Sequence, residues 1–194
     1  MSLSTKVKSE LIRKAPAAVK LNVQKRFQKA FQKIKNEMIA DFMNHPVTLE
    51  INGGTAARNI SGTLNGITNL FSFIGFEKGS DPIRDIEDLL YETDFEFVRT
   101  TNNSIEFAVN IPDAKDIFDV TPMPWSPGRS WVKGVETGIS GLGYYLKTER
   151  DTSRSGLGIQ SAKQVRKKGV KFKNTTYISQ FLKEYRKKFK NIKI

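Results

Sequence analysis

Between Ala17 and Met43 the residues Val19, Val23, Phe27, Phe31, Ile34, Met38 and Phe42 recur every three or four positions, which predicts one long amphipathic α-helix over 17–43. A strand would need alternation instead. Lys20, Lys25, Arg26, Lys29, Lys33 and Lys35 occupy the other faces, so the helix is a basic rod that must bury a Phe-rich stripe against another layer. Pro46 after His45 ends it, because a residue preceding proline avoids the α region. Ile178, Phe181, Leu182, Tyr185 and Phe189 repeat the same period near the other end, predicting a second amphipathic helix over 175–190 that carries Lys183, Arg186, Lys187, Lys188 and Lys190.

The chain between these helices has a different texture. Residues 47–146 are expected to form a mainly β core, with glycines at 53, 54, 62, 66 and 75 breaking the first part into turns and short strands. Leu70, Phe71, Phe73, Ile74 and Phe76 crowd one short span, which is either a buried strand or an apolar finger presented to a partner. Asp81 as N-cap and Pro82 at the first helical position predict a short helix over 81–90. Phe95 and Phe97, then Ile105, Phe107, Val109 and Ile111, alternate with polar residues across the turn 100–104 and predict a hairpin with one apolar face. After the proline-rich joint at 122–127, residues 131–146 are expected to return to the sheet. Residues 147–174 are polar and basic, a length that predicts an extended arm with a task of its own, and residues 1–16 read as a flexible N-terminal segment. One α+β domain over 1–194 results, with both long helices packed on a mainly antiparallel sheet. A length of 194 residues suits one such domain.

Charge divides the chain in a second way. The net +12 splits into +8 over residues 1–40, −9 over 41–120 and +13 over 121–194. Basic ends around an acidic middle suit phosphate or acidic neighbours, and equally suit head-to-tail contact between copies. They also suit nothing more than solvated faces.

Catalytic chemistry finds little purchase. There is no cysteine, so disulfides, thiolate metal sites and cysteine nucleophiles are excluded, and this fits an intracellular origin. No segment has the apolar core of a signal peptide or the length of a membrane span, so no membrane partner is expected. His45 is the single histidine, and its place at a helix end before Pro46 predicts a C-cap or structural role. Gly156-Leu157-Gly158 lacks the third glycine of a dinucleotide loop, no phosphate-loop motif is present, and Asp81, Asp85 and Asp88 have a spacing common on surface helices. No enzyme, cofactor or metal is expected. Nucleic-acid binding without sequence preference is the rival generic reading, with Lys163, Arg166, Lys167 and Lys168 and the 183–190 helix available to phosphates.

The stretches HPVTLEINGGTAARNISGTLNGITNLFSFIGFEKGSDPI (45–83), PWSPGRSWVKGVETGISGLGYYL (124–146) and SRSGLGIQ (153–160), flanked by the two helices, resemble the head–tail connector, or neck and tail-completion, proteins of tailed bacteriophages. The resemblance implies a non-enzymatic virion protein, made in the host cytoplasm, that forms a ring between the DNA-filled head and the tail. Its partners would be further copies of itself and the adjacent connector and tail proteins, with contact to DNA that is not sequence-specific. Under that reading Phe71, Phe73 and Phe76, with Arg154, Gly156 and Gly158, are the candidate subunit interface. Lys163, Arg166, Lys167, Lys168, Lys183, Arg186, Lys187 and Lys188 form the candidate docking or DNA-facing surface. Ser61-Gly62-Thr63-Leu64 is an approximate counterpart of a Thr-Gly element found in one branch of the family.

Overall fold

The apolar stripe of the first helix meets a three-stranded antiparallel sheet and a second helix at once. In the computed structural model, which describes residues 2–8, 17–66, 68–101, 104–138, 146–147, 159–160 and 173–193, helix α1 spans Ala17–Met43. The sheet has the order β1-β3-β2, with β3 (Ser104–Asn110) in the centre and β1 (Ser2–Lys8) and β2 (Asp94–Thr101) on either side. Phe27 of α1 stacks on Phe107 of β3 with ring centroids 4.0 Å apart, and Phe95 of β2 closes edge-on at 5.1 Å. Phe27, Phe31, Met38 and Phe42 are buried as the helical period requires, while Leu21 on the opposite face is exposed.

Strand β1 corrects the expectation of a flexible segment at 1–16. Ser2 pairs with Asn110 and Lys8 with Ser104 in continuous antiparallel register, and β3 is thereby bonded on both edges. The stretch SLSTKVK alternates too weakly to announce a strand. An already formed hairpin with a free edge supplies the pairing that local propensity does not. The hairpin β2–β3 is as expected, with one irregularity: the register shifts between Phe97 and Arg99, leaving Val98 as a bulge.

Residues 47–138 are more helical than their glycines suggest. Helix α2 (Pro46–Asn52) starts at the proline that ends α1: His45 is its N-cap, and the His45 Nδ1 accepts a hydrogen bond from the Val47 N–H at 3.2 Å. A 3-10 turn follows over Gly54–Ala56. The Phe-rich span is neither strand nor finger but the short helix α3 (Leu70–Ile74), N-capped by Asn69 and closed by Gly75 at φ 88°. Helix α4 (Arg84–Tyr91) begins after Pro82, with Ile83 rather than Asp81 at the N-cap. Helix α5 (Ala114–Asp119) opens with a capping box between Asp113 and Asp116. A small ladder of β4 (Pro122–Met123) and β5 (Ser126–Ser130) leads into helix α6 (Trp131–Thr137), where a return to the sheet was expected. Ser130 explains the change, since its hydroxyl accepts from the Lys133 N–H and starts the helix. Leu146–Lys147 (β6) pairs with Ile159–Gln160 (β7), and helix α7 (Ile178–Lys190) closes the fold.

Helix α7 lies against α1, with Phe189 and Phe31 5.2 Å apart and Phe181 and Phe42 6.1 Å apart. An aromatic chain then runs from Phe42 through Tyr177, Trp131 and Phe76 to Phe71, each neighbour within 6.3 Å. It joins the helical middle of the chain to the α1–α7 pair.

Candidate interaction surface

The residues expected to form an apolar contact finger are enclosed. Phe71, Phe73 and Phe76 are 2%, 1% and 5% exposed. Their burial leaves no ring free for a subunit interface in this fold: Phe71 and Phe76 join the aromatic chain, Phe73 is enclosed on the short helix, and Trp125 covers the helix end by donating its indole N–H to the Ile74 carbonyl at 2.7 Å. The rest of that candidate interface, Arg154, Gly156 and Gly158, lies outside the described residues, as do Lys163, Arg166, Lys167 and Lys168.

A buried carboxylate fixes the turns around this cluster. Glu50, fully buried on α2, accepts from the Leu70 N–H at 2.6 Å, the Ser61 N–H at 2.9 Å and the Asn59 side-chain amide at 2.9 Å. Asn59 in turn accepts from the Leu64 and Gly66 N–H groups. The site could suggest acid–base chemistry, but every contact of Glu50 is to the protein's own backbone or amide, so the carboxylate ties the 59–70 turn to the start of α3.

Of the basic residues proposed on α7, two already have partners. Lys188 lies 4.0 Å from Glu37, 3.9 Å from Asp41 and 4.1 Å above the Tyr185 ring. Arg186 donates to the Pro112 carbonyl at 3.1 Å. Tyr185 donates to Asp41, and its phenol is pushed well above its ordinary value by burial first and by Asp41 second. Lys183 and Lys187 point to solvent without an ion-pair partner among the described residues. Sequence reading missed the group that starts this helix: Glu136 on α6 accepts from both the Ser179 N–H at 2.7 Å and the Ser179 hydroxyl at 2.6 Å. A carboxylate at a helix N-terminus is favoured by the free N–H groups there, but its arrival from 43 residues away leaves no local signal.

Between α1 and α7 lies an open cleft of about 680 Å³. Ala30, Ile34 and Ile192 form an apolar floor; Lys33 and Glu37 stand on the α1 side, and Glu184, Lys187, Lys188 and Lys193 on the other. Glu37 is engaged by Lys33 and Lys188, each at 4.0 Å, and Glu184 accepts from Gln180 at 2.8 Å. Among the described residues Lys187 and Lys193 are the rim cations with no partner.

Acidic side chains collect elsewhere. Asp85, Asp88 and Glu92 are exposed along α4 and its end, beside Tyr91 at 54% exposure. Lys35 of α1 holds that end by donating to the Tyr91 and Thr93 carbonyls at 2.6 and 2.7 Å, an arrangement that satisfies free carbonyls of a helix C-terminus. Burial lowers the Lys35 pKa, and Asp94 partly opposes the shift.

Among the described residues no three His, Asp or Glu side chains converge as a metal site, and no helix is long and apolar enough to cross a membrane. No family model, curated protein or solved structure matches the chain.

Proposed function

We propose that this chain is a non-enzymatic structural protein of a tailed-phage virion, forming a ring in the neck that joins the DNA-filled head to the tail. The observation that carries this reading is the separation of charge on the folded surface. The two most basic helices, α1 and α7, lie side by side, while the exposed acids Asp85, Asp88 and Glu92 line α4. A surface with both signs in separate places favours contact with like copies and charged neighbours. Such a protein needs no reaction centre. The buried carboxylate of Glu50 is engaged by backbone N–H groups and the Asn59 amide.

Nucleic-acid binding without sequence preference is the second reading, and the exposed lysines of α1 and α7 favour it. The engagement of Lys188 and Arg186 within the chain weighs towards protein contacts, because a phosphate-binding face leaves its cations free.

Quantitative mass spectrometry of gradient-purified virus particles tests the two. A fixed copy number of about six or twelve per particle, as closed symmetry suggests, is the expected result. Absence from particles, with nucleic-acid affinity falling steeply between about 50 and 200 mM salt, would give the second reading precedence.

A further inference from the structure

We propose that the cleft between α1 and α7 receives the Tyr91 face of α4 from a second copy of the same chain. The assignment deepens the ring reading and rests on it for its setting, but the contact itself is a property of the purified chain.

The cleft and the face are opposite in sign. Ile34 and Ile192 offer an apolar floor, and Lys187 and Lys193 offer rim cations without partners among the described residues. Such a cleft suits an amphipathic segment with one large ring and flanking carboxylates. Nucleic acid suits it less, because Glu37 and Glu184 on the rim would face phosphates across an apolar floor.

The same chain displays that segment. Tyr91 is the most exposed large apolar side chain among the described residues, and Asp88 and Glu92 flank it three residues before and one after. On a helix end, positions 88, 91 and 92 share one face. The Lys35 hydrogen bonds to the Tyr91 and Thr93 carbonyls hold the backbone there, so little order is lost on docking. A ring between Ile34 and Ile192 brings Glu92, and Asp88 with its exposed Arg84 pair at 3.9 Å, beside Lys187 and Lys193, the rim cations without partners among the described residues. Cleft and face are different surfaces of one copy, so the contact is head-to-tail and each copy can both give and receive.

The test uses the full-length chain and two double variants in sedimentation equilibrium at moderate salt. One variant reverses the cleft (Lys187→Glu with Lys193→Glu), the other reverses the face (Asp88→Lys with Glu92→Lys). The wild type should self-associate, and each variant alone should associate at least about tenfold more weakly, since like charges then meet. An equimolar mixture of the two should regain association, because each cleft then meets a face of opposite sign. A wild type that stays monomeric, a variant that associates as the wild type does, or a mixture that fails to recover would each overturn the assignment. So would variants that lose only DNA affinity. Matched thermal unfolding of both variants and wild type guards against misfolding. The outcome is independent of particle composition: a cleft that fails this test leaves a chain found in virions still a ring candidate, and a chain absent from virions can still pair through the cleft.

Discussion

The Phe71–Phe76 cluster and the α1–α7 cleft are both apolar concentrations beside charged chain, yet one is sealed and the other open. At the first, the short helix turns every ring inward and Trp125, Trp131 and Tyr177 complete the enclosure. At the second, Ile34 and Ile192 lie between side chains of which two cations lack partners among the described residues. Density of apolar residues therefore does not separate core from contact surface. What separates them is whether the surrounding chain covers them: α3 keeps even the Ser72 hydroxyl, unpaired among the described residues, enclosed, whereas the floor between α1 and α7 is left open.

The sharpest way to break this contrast is Phe73→Asp. Loss of the buried ring costs about 3–5 kcal/mol, and an unpaired buried charge adds to it, against a total stability of about 5–15 kcal/mol for a domain. The variant should show no cooperative thermal transition by circular dichroism. A folded, monomeric Phe73→Asp protein would instead return this cluster to the surface and revive it as an interface.

Glu50→Ala is the next largest. It strands the buried Leu70 N–H and the half-buried Ser61 N–H, and the unmade hydrogen bonds should cost about 3 kcal/mol in urea unfolding. Glu50→Gln keeps an acceptor and should lose less. Equal stability of Glu50→Ala and wild type would mean that the 59–70 turn holds without its carboxylate, and the enclosure of α3 would need another cause.

Those two positions also mark what could be read from the sequence. The stripe on α1 was legible to the residue because period and stop signal coincide, and the α7 stripe and the β2–β3 hairpin followed from the same kind of local repetition. Strand β1 was not, since its partner is about a hundred residues away in β3. Helix α3 was misread because five apolar residues carry no period that distinguishes strand from helix, and the caps Asn69 and Gly75 were the signals to weigh. The cleft was invisible for a related reason: Ile34 and Ile192 belong to separate segments, and only their packing leaves the gap between them.

A smaller effect probes the hinge between α1 and α2, where the aromatic chain begins. His45 Nδ1 accepts from Val47 N–H, a bond available only to the neutral ring, and the ring lies 4.8 Å from that of Tyr177. Burial lowers the His45 pKa below its ordinary 6.5. The folded state therefore binds the proton less readily than the unfolded chain. Its contribution is fully present above pH 6.5 and is lost as the pH falls from there through the folded value. A loss of about 1 kcal/mol, the scale of an N-cap, is expected across that window. His45→Asn keeps a capping oxygen that does not titrate, so its stability should be flat over the same range. A wild type equally flat would show that His45 does not sense the proton through its cap.

The smallest change in stability should come from the cleft rim, and that is its diagnostic value. Lys187 is exposed and Lys193 lies beyond the helix, neither with an ion-pair partner among the described residues, so reversing both should alter unfolding free energy by no more than about 0.5 kcal/mol. Denaturant titration of the monomer checks this. A surface that tolerates reversal in the monomer and resists it in the assembly is doing its work between copies, whereas a stability loss of several kcal/mol would place Lys187 and Lys193 in the fold itself, on the same footing as the enclosed rings of α3.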